Sequence, residues 1–195
     1  MVNALGTLRS VTDEMKEKRC AEFVISSEAV DSYGTVFRLS GWDLKRYNQN
    51  PLVGYNHQVF STDPDNIIGR SEVFIEDDKL VGRVFFEDAE TNPKAEKIMR
   101  KVFNGTLNMA SVGAIINEAH FGKRSDNEDP DTLYFTSQEL YEWSVVAVGA
   151  NPDAIKRSCE TIETIKKEMT PEPPAPEAEK RSVFEAQLSI NKNQF

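Results

Sequence analysis

"NIIGRSEVFIEDDKLVGRVFFE", residues 66–87, is the stretch that decides the fold class. Two apolar-rich runs flank Asp77-Asp78, the pattern of a β-hairpin that turns at the aspartates. Outward from it the chain keeps reading as strands. "CAEFVIS" (20–26) carries Phe23 and Ile25 on one parity, and "DSYGTVFRLSGW" (31–42) follows with a turn at Gly34. "TLNMASVGAII" (106–116) and "ELYEWSVVAVGA" (139–150) are further strands, and the polar "NEAHFGKRSDNEDPDT" (117–132) between them reads as a surface loop toward its distal end. "WDLKRYNQN" (42–50) has room for one or two helical turns before the Asn50-Pro51 step stops them.

Two segments read as helices. In "TNPKAEKIMRKVFNG" (91–105), Asn92 is placed to cap, Pro93 suits the first helical position and Gly105 is placed to terminate. Ala95, Ile98, Met99, Val102 and Phe103 fall at i, i+3, i+4, i+7 and i+8, which makes one apolar stripe. A second helix is expected over 152–169. It stops before "TPEPPAPEAEKR" (170–181), whose prolines and glutamates form a stiff, extended linker that cannot bury a core. The organisation expected is therefore an N-terminal arm (1–19), a domain (20–169), the linker, and a C-terminal tail (182–195) that reads equally as an interaction segment or a frayed end.

Totals exclude several functions. The 195 residues suit one well-buried domain. A net charge of -9 argues against a protein that neutralises phosphates, so no nucleic-acid partner is expected. No apolar run approaches the roughly 20 residues of a membrane helix, and the first twenty residues lack a signal peptide's apolar region, so no membrane partner is expected. Cys20 and Cys159 are far apart and lack metal-ligand spacing, which fits a reducing compartment. With no glycine-rich phosphate loop, cysteine pair or HExxH motif, neither cofactor nor metal is expected.

Three residues carry candidate chemistry. His57, one of only two histidines, ends the apolar run "NPLVGYNHQ" (50–58). Read alone it is a core histidine. Ser111 sits in a strand among Ala110, Gly113 and Ala114, small neighbours that let another chain approach its hydroxyl. Glu142 interrupts an otherwise apolar or small run, and by simple alternation it shares a face with Leu140, Ser144 and Val146. A carboxylate there is exposed, paired with a cation, or hydrogen-bonded to a functional group, because burying it unpaired costs several kcal/mol. Together they are a base, a nucleophile and an orienting acid, the inventory of serine hydrolysis.

Five stretches occur in the order of a known family. They are "DSYGTVFRLSGWDL" (31–44), "NPLVGYNHQ" (50–58), "IIGRSEVF" (67–74), "NGTLNMASVGAII" (104–116) and "LYEWSVVAVGANPDA" (140–154). In these the chain resembles the tailed-phage prohead (capsid maturation) serine proteases, whose fold is related to the herpesvirus assemblin proteases. The resemblance spans residues 20–155. It implies a mainly β fold with a few helices (α+β): a small antiparallel β-barrel of assemblin-like type with flanking helices.

Residue by residue, the family's Asn-His step corresponds to Asn56-His57. Its Ser-x-Gly step after a Gly-x-Leu approach corresponds to Ser111–Gly113 following Gly105 and Leu107. Its acidic residue before a hydroxyl-bearing apolar strand corresponds to Glu142. The family's usual Pro-Ala-Asn-Pro is replaced here by Gly149-Ala150-Asn151-Pro152. By analogy with assemblins, the backbone N–H groups of Gly149 and Ala150 are candidates for the oxyanion hole; a plain strand-to-helix turn is the other reading. Assemblins use a Ser-His-His triad, so His120 is the alternative third member if the strand of Ser111 turns back; otherwise it is a surface histidine.

The implied activity is a serine endopeptidase, acting inside the assembling prohead in the cytoplasm of the bacterial host. Its substrates would be major capsid or scaffold protein segments and the enzyme itself. A homo-oligomer, with a dimer favoured, is also implied. The competing readings are a non-enzymatic assembly or scaffold-binding module on the same fold, and an esterase-like hydrolase, against which the absent Gly-x-Ser-x-Gly elbow argues.

Overall fold

A computed structural model of the chain describes residues 2–9, 11–31, 33–147, 167 and 169. Among these residues nine strands occur in chain order: β1 (Val2–Leu8), β2 (Cys20–Ser27), β3 (Thr35–Phe37), β4 (Trp42–Asp43), β5 (Leu52–Tyr55), β6 (Ile67–Glu76), β7 (Lys79–Phe86), β8 (Met109–Phe121) and β9 (Leu133–Val146). Among the described residues two α-helices join them, α1 (Asp13–Glu17) and α2 (Pro93–Phe103).

The β6–β7 hairpin turns where the sequence indicates. Glu76 pairs with Lys79, and Asp77 and Asp78 take φ of 49° and 54°, the left-handed pair of a two-residue I′ turn. From there pairing runs β9-β5-β6-β7-β2-β1-β8, and β8 returns to β9, so seven strands close into a barrel. β8 runs antiparallel along one edge of β9. Along the other edge β3, β4 and β5 dock in succession, all parallel to β9. The mostly antiparallel barrel expected from the sequence is thus closed through one parallel joint.

The interior is filled from opposite walls by Phe23, Ile25, Val53, Leu80, Val84, Val112, Leu140, Trp143 and Val145, all fully buried. Trp143 sets the packing. Its indole lies where a Cβ on Gly82 would stand, 2.9 Å from Cε2, so that strand position has no room for a side chain. The indole N–H donates to Ser71 Oγ at 2.9 Å, which satisfies the one polar atom this residue brings into the core.

α2 packs its apolar stripe, Ala95, Ile98, Met99 and Val102, against β6 and β7. Asn92 caps it, its Oδ1 accepting from Lys94 N and Ala95 N at 3.0 and 2.9 Å while Nδ2 donates to Ile67 O at 2.9 Å. One buried side chain thus satisfies the helix start and ties it to β6.

The structure sharpens three expectations. The N-terminal segment, expected as an arm, supplies β1, which closes the barrel between β2 and β8. Residues 117–121, the near end of the polar stretch expected to loop toward its distal end, continue β8, because each finds a partner or bulge position along the extended β9. The stretch 42–50 gives β4 and a single 3-10 turn (Tyr47–Gln49), the shorter of the two extents expected. The helix expected at 152–169, the linker and the tail lie almost wholly outside the described residues.

Candidate functional site

β5 delivers His57 through a second left-handed turn. Asn56 and His57 have φ of 52° and 58°, and Gln58 N donates to Tyr55 O at 3.1 Å, closing the turn. Non-glycine residues seldom adopt this conformation, asparagine and histidine more readily than most. Asn56 secures it: its N–H donates to Val145 O at 3.0 Å and its Oδ1 accepts from Ala147 N at 3.0 Å, both on or just past β9. Fastened there, the turn folds the imidazole back over β9, where His57 Nδ1 meets Glu142 Oε1 at 2.5 Å. The Glu142 side chain is 6% exposed and that of His57 21%.

Glu142 reaches that position because β9 contains a bulge. Gly113 pairs with Glu142 but its neighbour Ala114 pairs with Leu140, so Tyr141 is an extra residue. The extra residue reverses the alternation. Leu140 points into the core before the bulge; Trp143 and Val145 do so after it. The face-sharing expected from uninterrupted alternation is therefore corrected: Glu142 stays with Ser144 on the wall away from the core, while Leu140 goes to the core side.

Ser144 completes the carboxylate's hydrogen bonding. Its Oγ, fully buried, donates to Glu142 Oε2 at 2.8 Å, so both carboxylate oxygens are engaged. Pairing sets Gly54 of β5 on one side of Ser144 and Ser111 of β8 on the other. A Cβ at Gly54 would lie 2.7 Å from Ser144 Oγ and 2.4 Å from Val59 Cγ1. Gly54 is thus the socket that seats the Val59 side chain beside the serine.

Ser111 is buried, directly across from Ser144. Directly opposed residues place their Cβ atoms about 5 Å apart on one face. Neither the Ser111 hydroxyl nor His57 Nε2 has a hydrogen-bond partner among the described residues. The structure therefore joins His57 to Glu142 and sets Ser111 one strand away on the same face. Tyr47 lies close by, its phenol donating to Leu52 O at 2.9 Å, and burial pushes it well above the ordinary range, so it remains a donor.

His120 is elsewhere. β8 does not turn back; it runs on for nine residues, a distance of roughly 25–30 Å. There His120 Nε2 meets Glu128 Oε2 at 2.9 Å and its ring stacks on Tyr134. Arg38, first, and His120 hold the Glu128 carboxyl down to about 2. Gly149 and Ala150 lie outside the described residues. Among the described residues no group of three or more His, Cys, Asp or Glu is gathered to hold a metal, and no helix is long and apolar enough to cross a membrane.

Sequence reasoning placed Ser144 beside Glu142 but gave it no task, and it passed over Gly54. The available signal was a serine two residues after the acid in a strand, which alternation puts on the same face.

Comparison with known proteins bears on this geometry. The family model described as "Caudovirus prohead serine protease" matches residues 48–168, a span that holds His57, Ser111 and Glu142. Among solved structures, the capsid assembly protease gp21 of bacteriophage T4 is similar, with a TM-score of 0.52 and 11% identity over 74% of this chain and 96% of that one. At that identity the likeness is one of fold. A search of curated proteins gave no match.

Proposed function

This chain belongs to the caudovirus prohead serine protease family, and on that premise we propose that Ser111, His57 and Glu142 are the catalytic triad of a serine endopeptidase. The observation that supports the assignment is the 2.5 Å contact of His57 Nδ1 with Glu142 Oε1, made between residues 85 apart in sequence. With Glu142 as the carboxylate, Nδ1–H is the donor, and the lone pair of Nε2 is free to act as base.

Ser111 Oγ attacks the peptide carbonyl carbon as its proton passes to Nε2, the hydrogen bond tightening when substrate enters. The imidazolium returns that proton to the departing amine, leaving an acyl-enzyme. Water then attacks the ester, gives a proton to Nε2, and Ser111 recovers it as the acid product leaves. Glu142 holds the tautomer and stabilises the imidazolium, and Ser144 fixes the carboxylate. The N–H groups of Gly149 and Ala150 are assigned to the oxyanion.

The substrates in this reading are scaffold or capsid protein segments, together with the chain's own Pro/Glu-rich linker, cut inside the assembling prohead within the host cytoplasm. The active form is a homo-oligomer, a dimer by preference. Treatment with a fluorophosphonate tests the triad. One adduct by intact mass, mapped to Ser111 and abolished in Ser111→Ala and His57→Ala, is expected; no adduct on the wild type overturns the assignment. An active sample whose mass is unchanged over days argues against self-cleavage.

A further inference from the structure

Beside the paired His57 and Glu142 lies an open groove of about 440 Å3, bordered by Glu142 and walled by Arg46, Leu52, Val59, Phe60 and Tyr141. We propose that this groove is a subsite for one bulky apolar side chain (leucine, methionine or phenylalanine) of the peptide being cut, with Phe60 as the residue that determines the preference. The proposal rests on the triad reading above and extends it to substrate choice.

Position is the first argument. Phe60 and His57 belong to one short loop between β5 and β6, so whatever contacts the ring is held by the same element that holds the base. That loop is fixed at several points: Val59 is seated at Gly54, Ser61 N donates to Gln58 O at 3.0 Å, and Ser61 Oγ accepts from Asn66 Nδ2 at 2.8 Å. A preformed wall orders little on binding and so loses little of the contact energy.

Exposure is the second. Phe60 is 64% exposed, one of three large apolar side chains left to water among the described residues, with Val30 and Ile75. Of these it is the one in the groove, and its ring is stacked on Tyr141 at 5.6 Å. An apolar shelf kept in water in a groove that Glu142 borders is a surface for a ligand.

Charge decides the ligand's chemistry. Arg46 is already paired with Glu139, Nε to Oε1 at 3.0 Å, and its guanidinium lies over the Tyr141 ring at 5.6 Å. Both Glu142 oxygens are taken by His57 and Ser144. A basic side chain entering here meets a cation and no free carboxylate, an acidic one meets a guanidinium already shared with Glu139, and either loses hydration. An apolar one releases water from Leu52, Val59, Phe60 and Tyr141 and brings no charge that needs a partner.

The test incubates the full chain with a defined mixture of short synthetic peptides and reads the cut sites by mass spectrometry, beside fluorophosphonate labelling of the same sample. The wild type is expected to prefer Leu, Met or Phe over Ala, Asp or Lys at one fixed position near the cut by about tenfold or more in kcat/KM. Phe60→Ala should reduce the ratio of bulky apolar to Ala substrates about tenfold, and Phe60→Leu should retain most of it. Labelling of Ser111 with cleavage that is indifferent to apolar side chains at every position overturns this proposal and leaves the triad standing. So does a Phe60→Ala profile identical to the wild type. No labelling and no cleavage removes the triad, and the subsite with it.

Discussion

Glu142→Gln separates charge from shape at the site. The carboxylate accepts from His57 Nδ1 at 2.5 Å and from Ser144 Oγ at 2.8 Å. The amide has the same outline, and the Ser144 hydroxyl can rotate from donating to accepting. The amide nitrogen can then face Ser144 while the amide oxygen still faces His57. The tautomer and ring position survive; the negative charge that meets the imidazolium does not. Unit charges with centres about 4 Å apart interact by about 4 kcal/mol at an effective dielectric near 20. The neutral hydrogen bond left behind returns about 1 kcal/mol. The net loss of about 3 kcal/mol corresponds to a rate about 100-fold lower. The assay is the rate of fluorophosphonate adduct formation at Ser111, followed by intact mass, with Tm measured in parallel. A Glu142→Gln protein that acylates within about threefold of wild type at an equal Tm refutes the reasoning.

Other substitutions test the supports around that pair. Ser144→Ala leaves Glu142 Oε2 unpaired in a buried place, which costs about 1–3 kcal/mol; a lower Tm and roughly tenfold slower acylation are expected, and no change in either counts against the clamp. Gly54→Ala forces its Cβ to within 2.4 Å of Val59 Cγ1 and 2.7 Å of Ser144 Oγ. It should slow peptide cleavage by more than about tenfold as the loop shifts, and a wild-type rate would mean that the socket is unnecessary. Asn92→Ala removes the α2 cap and the tie to β6, and urea unfolding should report about 1–2 kcal/mol of lost stability. The Glu128 carboxyl is depressed from 4.5 to about 2, so its contribution is complete above the higher value and is lost as pH falls through the lower. Glu128→Gln should therefore melt below wild type near neutral pH, with the gap closing as pH drops toward about 2, as thermal melts across pH will read.

Local physics made much of this protein legible in its sequence. The I′ turn at Asp77-Asp78, the capped α2 with its stripe, and the alternation of Phe23 and Ile25 all depend on neighbours within a few residues, and those neighbours are printed in order along the chain. His57, Ser111 and Glu142 stood out for a related reason: a polar group in an apolar or small-residue run is an energetic anomaly that asks for a partner.

The tertiary structure alone decided which partner each would have. Strand pairing between segments 85 residues apart brought His57 to Glu142, and the Tyr141 bulge, which exists only through the register of β8 against β9, turned the acid to the wall that carries Ser144 and Ser111. The run of β8 along β9 carried His120 away to Glu128, and long-range pairing made the N-terminal segment a barrel strand and gave Gly54 its purpose. Turns and caps are fixed by short-range sterics and hydrogen bonds, whereas register and closure are chosen by the whole barrel at once, through contacts that sequence order does not display.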